Sequence, residues 1–385
     1  MNKLDFLFLI SDINLRGGTE IQTLNITQAL NEAGYQAKIL SITPYNGKDS
    51  TILSFDLRTY KTYQKIKQSF INKISCNIIL NHYLAKILHT VIIKINPQVL
   101  VNQTYDLIHL LPFNEKIKIV QVFNWSILGY EESILQIIHK KKGLNKYLSN
   151  FINQYTVKSR HSNIKKCNHL VVLTDNAKKE IKSIDNKVKE CNIKVIPNPL
   201  KTQQDSSQIT SLNNHNIIFV GRLSYEKGVM RLLHIWKEIS SQLPDYTLSI
   251  YGKGNAEEDM KKYIKENKLR NIIFQGFEPE HHKIYTSADL LLSTSDSEGF
   301  GLVFIEAFYF GVPVISFNCP VSPKEVIGNA GVLIKCFDEK QYAKEVILLL
   351  KDTERLKELQ QKAIKRARLF YEDKIVNKWI NLLTE

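Results

Sequence analysis

A polar segment divides this sequence into two halves that repeat one pattern. The segment, LKTQQDSSQITSLNNHN at residues 200–216, has neither a strand nor a helix period, which is typical of a connection between domains. On both sides of it, short apolar runs alternate with helical patterns, and this alternation favours parallel sheets covered by helices. We therefore predict two α/β domains, at residues 1–200 and 217–365, joined by a linker at 201–216.

Each half contains short apolar runs that predict buried strands. They lie at 4–11, 37–42, 98–102, 117–123, 169–174 and 193–196 in the first half, and at 217–220, 246–251, 271–275, 289–293 and 313–317 in the second. A loop with Gly17 and Gly18 follows the first run and precedes a helical pattern. Because ligands of open α/β sheets bind at the carboxyl ends of the strands, we expect the site in a cleft between the domains.

The net charge of +14 is concentrated in the first half. Residues 1–200 hold 27 basic against 14 acidic side chains, whereas the remainder holds 25 against 24. Two stretches, 57–105 and 133–174, contain no acidic residue and hold seven and eight basic ones. This charge would attract an anionic lipid surface or a nucleic acid, although a solvated lysine-rich face explains it equally well. A nucleic acid is disfavoured because the near-neutral second half offers no continuous basic track.

Membrane and redox signals in the sequence are weak. Residues 60–94 have apolar positions at near-helical spacing with lysines beside them, which predicts basic amphipathic helices that form either a core face or a membrane contact. No apolar run approaches the roughly 20 residues of a membrane-spanning helix.

Five cysteines without a CxxC pair indicate a reducing compartment and no metal site. We therefore expect a cytoplasmic protein, with peripheral contact to the inner membrane face as an extension of that expectation.

The stretch STSDSEGFGLVFIEA, residues 293–307, contains the strongest chemical signal. Gly299 and Gly301 lie just before a helical pattern, where glycines allow close approach and helix amides point at an anion such as phosphate. Glu298 and Glu306 would repel phosphate, but a carboxylate accepts two hydrogen bonds and holds a diol well. Amides flanked by two diol-binding carboxylates fit a sugar nucleotide, with the diphosphate at the centre.

A second motif, FVGRLSYEKG at residues 219–228, follows the first strand of the second half. Arg222 and Lys227 would project from the end of that strand and neutralise a diphosphate, above all when it departs as a leaving group. An ion pair between Arg222 and Glu226 is the structural alternative for the arginine. The Gly17–Gly18 pair of the first domain would add backbone amides, although alone it is a weak signal.

Together, GGTE, FVGRLSYEKG and EGFGLVFIEAFYFGVPVI resemble the retaining glycosyltransferases of family 4, which have the GT-B fold. Further stretches in matching order are VVLTDNAKKEI, VIPNPL, IYGKGNAEEDMKKYIKENKLRNIIFQGF and CPVSPKEVIGNAGVLI. The resemblance implies two doubly wound Rossmann-like domains that face each other across a cleft. It also implies that a C-terminal helix within residues 366–385 crosses back onto the first domain.

The resemblance assigns roles to individual residues. Glu298 would bind donor-sugar hydroxyls and stabilise the cationic transition state, and Glu306 would bind the ribose. Arg222 and Lys227 would hold the diphosphate. The other donor-binding positions are Gly17, Gly18, Gly221, Gly252, Phe277, Gly299, Phe300, Gly301, Leu302 and Val303, with the base near Gly252 and Phe277. Such enzymes need neither metal nor cofactor, and no Asp-x-Asp pair occurs in the sequence.

One departure from the family concerns the acceptor side. Many members carry a histidine after a first-domain strand, but KIVQVFNWSILGY at residues 118–130 has none. Phe123 and Asn124 stand about where it would be, and His109 is the alternative acceptor-side group. What activates the acceptor stays open at this stage.

The resulting hypothesis is a metal-independent retaining glycosyltransferase. It would transfer a hexose or N-acetylhexosamine, with UDP as the favoured nucleotide, to a glycan acceptor, in cell-surface polysaccharide biosynthesis. The segment CPVSPKEVI and the basic first half favour a polyprenyl-diphosphate-linked acceptor. A two-carboxylate glycosidase is disfavoured because it leaves Arg222, Lys227 and the amides without a role. The alternatives kept are a non-catalytic sugar-nucleotide or glycan-binding partner of another transferase and a GT-B sugar-nucleotide epimerase.

Overall fold

The structure is a computed structural model that describes residues 4–15, 17–68, 78–113, 116–139, 144–184, 192–201 and 209–384. The chain divides into two compact units. The first unit consists of Met1–Pro199 together with Glu372–Glu385, and the second of Leu200–Tyr371. Each unit is built around one parallel sheet with helices on its faces, as the alternating sequence pattern predicts.

The sheet of the first unit has seven strands in the order β3-β2-β1-β4-β5-β6-β7. They are β1 (Phe6–Ile10), β2 (Ala37–Ser41), β3 (Ile52–Ser54), β4 (Val99–Asn102), β5 (Lys118–Phe123), β6 (His169–Val172) and β7 (Ile193–Val195). Every residue of β1, FLFLI, is buried, since helices cover both faces of a parallel sheet. The strand order reverses between β1 and β4, so the loops after these two strands flank the crevice of this sheet.

The first unit contains seven α-helices within the described residues. They are α1 (Gly18–Glu32), α2 (Leu57–Gln68), α3 (Ile78–Ile95), α4 (Ile127–His139), α5 (Leu144–Ile164), α6 (Asp175–Ile184) and the C-terminal α14 (Glu372–Thr384). Helix α14 packs on the first sheet, where the Trp379 ring lies edge-on to Phe8 at 5.7 Å. The Lys118 ammonium also donates to the carbonyl of Leu382 at 2.8 Å.

The sheet of the second unit has six strands in the order β10-β9-β8-β11-β12-β13. They are β8 (Asn216–Val220), β9 (Thr247–Tyr251), β10 (Ile272–Gly276), β11 (Leu290–Ser293), β12 (Val314–Phe317) and β13 (Gly331–Ile334). The order reverses between β8 and β11. The loops after these strands therefore flank the crevice in which ligands of such sheets bind.

Helices α7 to α13 belong to the second unit. They are α7 (Val229–Gln242), α8 (Glu257–Glu266), α9 (His281–Tyr285), α10 (Leu302–Tyr309), α11 (Pro323–Ile327), α12 (Glu339–Lys351) and α13 (Thr353–Ala367). The core under α7 is dense, and Trp236 and Tyr342 are fully buried within it. Such a core gives the loops at the strand ends a rigid base.

The strand predictions agree with the structure apart from two of the four edge strands, β3 and β13, which the sequence pattern did not reveal. The predicted linker at 201–216 lies partly outside the described residues. Its remainder packs on the second unit, where Thr210 is buried and donates to the carbonyl of Ala288 at 2.6 Å. The helix expected within 366–385 begins at Glu372. Among the described residues, no helix combines the length and the apolar character that crossing a membrane requires.

The amphipathic pattern predicted over 60–94 is divided between α2 and α3. Residues 69–77, which include two of the apolar positions in that pattern, lie outside the described residues. On α3 the side chains of Leu84, Leu88 and Ile92 are buried. The apolar face of α3 is thus a core face, which was one of the two interpretations of this pattern.

Candidate active site

The strongest polar cluster of the second unit joins the two loops that flank the β8/β11 switch point. The Lys227 ammonium donates to Oε1 of Glu298 at 2.7 Å. The hydroxyl of Ser295 donates to the same oxygen at 2.6 Å. Only 26% of the Lys227 side chain and 10% of the Glu298 side chain are exposed, so the ion pair is largely withdrawn from water and strengthened by the lower dielectric. The carboxylate is therefore held in one place, with a cation beside it.

Backbone contacts fix the separation between the two loops. The amide of Asp296 donates to the carbonyl of Glu226 at 2.9 Å, and the Thr294 hydroxyl donates to the carbonyl of Gly228 at 3.0 Å. Gly228 has φ +65°, and a Cβ at this position would lie 1.9 Å from the Thr294 carbonyl oxygen. Only glycine combines this left-handed backbone with so close an approach. The turn that carries Lys227 and the loop that carries Glu298 are thus held together by direct contacts.

Arg231, on the first turn of α7, also binds the loop that carries Glu298. Its guanidinium donates to the carbonyl of Thr294 at 2.9 Å and to the carboxylate of Asp296 at 2.7 Å. The guanidinium carbon also lies 4.4 Å from the ring centre of Phe337, within the range of a cation–π interaction. Because arginine presents its donors in a fixed plane, this residue sets both the position and the direction of the loop.

The backbone of Glu298 is bound to the segment that follows β12. Glu298 and Val321 form an isolated parallel bridge, and the Ser322 hydroxyl donates to the Glu298 carbonyl at 2.9 Å. Val321 has φ +83°, a conformation that costs a β-branched residue free energy and is maintained by the surrounding structure. Burial, and secondarily the nearby Glu298 carboxylate, raises the pKa of the adjacent Cys319 thiol to about 12.

The glycine-containing turn leads directly into helix α10. Gly301, with φ +84°, caps the helix, and the backbone amides of the first helical turn point outward at this end. The Phe300 ring is buried and lies edge-on to Phe370 at 5.6 Å. Phe300 therefore anchors the turn with its side chain, and only its backbone is suited to the predicted ligand contact. Gly299, Leu302 and Val303 complete the predicted amide-bearing segment.

Glu306 lies further along α10 and has its own supporting contacts. The hydroxyl of Tyr285 donates to Oε2 of Glu306 at 2.8 Å, and Nδ1 of His281 lies 3.8 Å from Oε1. Tyr285 is fully buried and stacks on Phe310 at 5.7 Å. Burial, and then the Glu306 carboxylate, raises the pKa of Tyr285 well above its ordinary value. The tyrosine therefore stays protonated and donates to the carboxylate.

Arg222 follows β8 and pairs with Glu226. The nearest guanidinium nitrogen lies 3.4 Å from Oε1 of Glu226, and 69% and 58% of the two side chains are exposed. This contact is the ion pair that the sequence left open as the structural role of Arg222. An exposed pair of this kind contributes little to stability, so it leaves the guanidinium available to an anionic ligand.

The ends of β8, β9 and β10 are also bonded to one another. The amide of Gly252 donates to the carbonyl of Gly276 at 2.7 Å. A Cβ on Gly252 would lie 1.9 Å from the carbonyl oxygen of Gly221, so these two strand ends approach as only glycine permits. Phe277, the predicted base-side residue, directly follows β10 and is exposed.

The remaining predicted residues belong to the first unit. Gly17 precedes α1, whose first residue is Gly18. Phe123 ends β5 with its ring buried 5.6 Å from that of Tyr105, and Asn124 donates to the Gln103 side chain at 2.9 Å. The part of these residues in ligand binding stays a prediction.

His109, the other acceptor-side residue, is half-buried on a short 3-10 helix, Tyr105–Leu110. Its Nδ1 is buried and has no hydrogen-bond partner among the described residues. Burial, and then the Arg160 guanidinium, lowers the pKa of His109. The imidazole is therefore biased towards its neutral form, the form in which a ring nitrogen can accept a proton.

Several residues at the site were not identified from the sequence: Ser295, Tyr285, Ser322 and Arg231. Ser295 lies in a serine-rich stretch whose individual hydroxyls look alike in sequence. The proximity of His281 to Glu306 likewise appears only in the fold. Among residues with described positions, no group of three or more His, Cys, Asp or Glu side chains is placed to hold a metal ion.

The chain is similar to known glycosyltransferases in sequence and in fold. Residues 201–369 match the model of a family described as Glycosyl transferases group 1. An uncharacterized glycosyltransferase of Haemophilus influenzae is 25% identical over 385 residues, which cover 98% of this chain and 99% of that protein. Other relatives match mainly over one half, and the chain spans between 26% and 48% of the length of three of them.

Two further comparisons concern ligands and fold. A Campylobacter jejuni α-1,4-N-acetyl-D-galactosaminyltransferase, named for an undecaprenol-diphosphate-linked glycan, is 28% identical over 50% of this chain and 55% of its own. The crystal structure of an S. aureus TarM variant in complex with fondaparinux, alpha-GlcNAc-glycerol and UDP aligns over 100% of both chains, with a TM-score of 0.75 and 16% identity. At that identity the structural likeness establishes the fold, which is GT-B.

Proposed function

We propose that this chain, a glycosyltransferase of the GT-B fold, acts in polysaccharide or glycoconjugate biosynthesis as a retaining, metal-independent enzyme that uses a UDP-linked hexose or N-acetylhexosamine. The hydrogen-bonded Lys227–Glu298 pair at the β8/β11 switch point carries this proposal. It places a cation beside a carboxylate, next to the amide-bearing end of α10. A diphosphate fits the cation and the amides, and sugar hydroxyls fit the carboxylate.

In the proposed reaction, Lys227 and Arg222 stabilise the negative charge that develops on the departing diphosphate. The bond between the anomeric carbon and the diphosphate oxygen breaks, and a bond to the acceptor oxygen forms on the same face. The acceptor proton passes to the departing diphosphate oxygen. Glu298 orients the sugar and stabilises the positive charge on its ring, while Glu306 holds the ribose hydroxyls.

Two observations support UDP and a lipid-linked glycan. The TarM structure named above is described with UDP, and the Campylobacter relative is named for an undecaprenol-diphosphate-linked glycan. The basic first half adds charge complementarity to a diphosphate-linked acceptor. Such acceptors lie at the inner face of the cytoplasmic membrane, where the proposed enzyme would act.

A transfer assay with stereochemical analysis tests this proposal. Purified protein is incubated with UDP-linked hexoses or N-acetylhexosamines and a polyprenyl-diphosphate-linked sugar in EDTA, and the product linkage is assigned by NMR. We expect transfer without added metal and the same anomeric configuration in product and donor. An inverted product or a strict requirement for a divalent metal would contradict the proposed mechanism. Epimerised donor without transfer would support the epimerase alternative.

A matched pair of variants connects the assay to the site. Glu298→Gln keeps the size of the side chain but removes its charge, and we expect transfer to fall about 10²-fold or more. Glu238→Gln makes the same change at an exposed position on α7 and is expected to retain full activity. Equal activity in both variants would remove Glu298 from the mechanism.

A further inference from the structure

Helix α5 exposes three aromatic rings on one face. Tyr147, Phe151 and Tyr155 follow one another at intervals of four residues, and their side chains are 82%, 66% and 69% exposed. Residues four apart lie on the same side of an α-helix. Among the described Phe, Tyr and Trp residues, only Phe277 of the second unit is comparably exposed, at 63%. We call this set the aromatic stripe.

The opposite face of α5 provides its attachment to the unit. Arg160, Asn163 and Ile164 on that face are buried. The Arg160 guanidinium forms an ion pair with Asp106 and lies 5.2 Å from the ring centre of Tyr105. These contacts lie at the C-terminal end of the helix, on the side opposite the aromatic stripe, so the stripe is directed away from the core that anchors this end.

Positive charge accompanies the aromatic stripe. Lys158 is exposed three residues beyond Tyr155, on the same side of the helix, and exposed Lys165 follows the last helical residue. The sequence from 133 to 174, which includes all of α5, contains eight basic residues and no acidic one. The neighbouring helix α4 carries an acidic residue, Glu131, but its carboxylate is largely buried: it is 15% exposed and accepts a hydrogen bond from His161 at 2.9 Å.

We propose that the aromatic stripe and Lys158 form a docking surface for an anionic lipid membrane. Aromatic rings with polar edges partition to the boundary between headgroups and acyl chains, and lysines beside them are attracted to anionic headgroups. The stretch from Tyr147 to Lys158 measures about 16 Å along the helix axis, which suits a helix lying flat on the surface. Charge complementarity favours this partner over a second copy of the chain, whose first half is equally basic.

This inference rests on the proposed function in one respect, because a lipid-linked acceptor gives the enzyme a reason to dock on a membrane. Its test is nevertheless separate, since vesicle binding requires neither donor nor acceptor. Transfer to a water-soluble acceptor analogue and binding of UDP are measured in parallel. The docking surface can therefore fail while the transferase activity persists, and the reverse also holds.

The experiment is co-sedimentation of the full chain with vesicles. One set contains phosphatidylcholine alone and the other phosphatidylcholine with phosphatidylglycerol, at low and at high salt. We expect binding to the anionic vesicles only, reduced by salt. The variant with Tyr147→Ser, Phe151→Ser and Tyr155→Ser should bind roughly tenfold more weakly, and Lys158→Glu at least about fivefold more weakly.

Matched controls come from helix α12 of the second unit. Leu348 and Lys351 are exposed there. Lys351→Glu makes the same charge change as Lys158→Glu, and Leu348→Ser removes one exposed apolar side chain; both should leave vesicle binding unchanged. Circular dichroism and UDP binding confirm that each variant is folded. Equal binding by wild type and stripe variants, equal binding to neutral vesicles, or concentration-dependent self-association that the triple variant abolishes without any vesicle binding would each overturn the proposal.

Discussion

Lys227 and Glu298, which lie 71 residues apart in sequence, are joined by a 2.7 Å hydrogen bond across the β8/β11 switch point. The serine hydroxyl of Ser295 completes the arrangement at 2.6 Å. A carboxylate held by a cation and a hydroxyl keeps its orientation before any ligand arrives. Pre-organised charge of this kind is the usual source of transition-state stabilisation in enzymes.

The first prediction concerns the hydroxyl that orients Glu298. Ser295→Ala removes one donor from the carboxylate, and we expect kcat of transfer to fall roughly tenfold with little change in KM for the donor. Steady-state kinetics measure both constants. Ser241→Ala, at a serine of α7 that donates only to a helix carbonyl, is the control. A Ser295→Ala enzyme with unchanged kcat would mean that the hydroxyl is structural only.

The second prediction distinguishes the two roles of Arg222. If its exposed pair with Glu226 is structural, Arg222→Ala and Glu226→Ala should destabilise the protein alike. We expect both substitutions to change the free energy of unfolding by less than about 0.5 kcal/mol. Only Arg222→Ala should weaken UDP binding, by about tenfold or more. Chemical denaturation and calorimetry measure the two quantities, and equal loss of UDP affinity in both variants would contradict this assignment.

Tyr285 gives the third prediction. Tyr285→Phe keeps the stacking on Phe310 but removes the hydroxyl that donates to Glu306. We expect the Kd of UDP to rise about fivefold because the carboxylate loses its orientation. Tyr246→Phe, at a half-buried tyrosine of the same unit that contacts His215, serves as the control. Unchanged UDP affinity in Tyr285→Phe would separate this tyrosine from the site.

The close approach of the two loops yields a stability prediction. Gly228→Ala places a methyl group 1.9 Å from the Thr294 carbonyl oxygen at a φ of +65°, and we expect it to lower the free energy of unfolding by about 3 kcal/mol. Gly276 has a similar φ of +71°, but its nearest neighbour would be the Lys253 side chain at 3.8 Å. Gly276→Ala should therefore cost about 1 kcal/mol, from backbone strain alone. Equal costs, measured by urea denaturation, would show that the contact is easily relaxed.

Much of the fold could be predicted because the interior strands are unmistakable in sequence. Strands such as FLFLI are buried on both faces and form continuous apolar runs. The missed strands β3 and β13 are edge strands of three and four residues, and they are half-buried over most of their length. At this length, hydrophobic periodicity does not separate a strand from a loop.

The candidate site could be predicted from the sequence where it consists of charged residues and glycines. Glu298, Glu306, Arg222 and Lys227 are distinctive in type and in position relative to the strand ends. Their supporting residues are not distinctive. Tyr285 and Arg231 lie within ordinary helical patterns, and their contacts exist only because the sheet brings distant loops together. The left-handed backbone of Val321 had no signal either, since valine rarely adopts it.

Calorimetric titration of the purified protein with UDP-, GDP- and ADP-sugars in EDTA, repeated with Glu306→Gln and Lys227→Ala, shows whether this cluster binds a nucleotide sugar. We expect the UDP-sugars to bind, the other two classes to bind far more weakly, and both substitutions to reduce the affinity about tenfold or more. Full affinity in both variants, or the absence of binding by any donor to the folded wild-type protein, would contradict the assignment of this site to a nucleotide sugar.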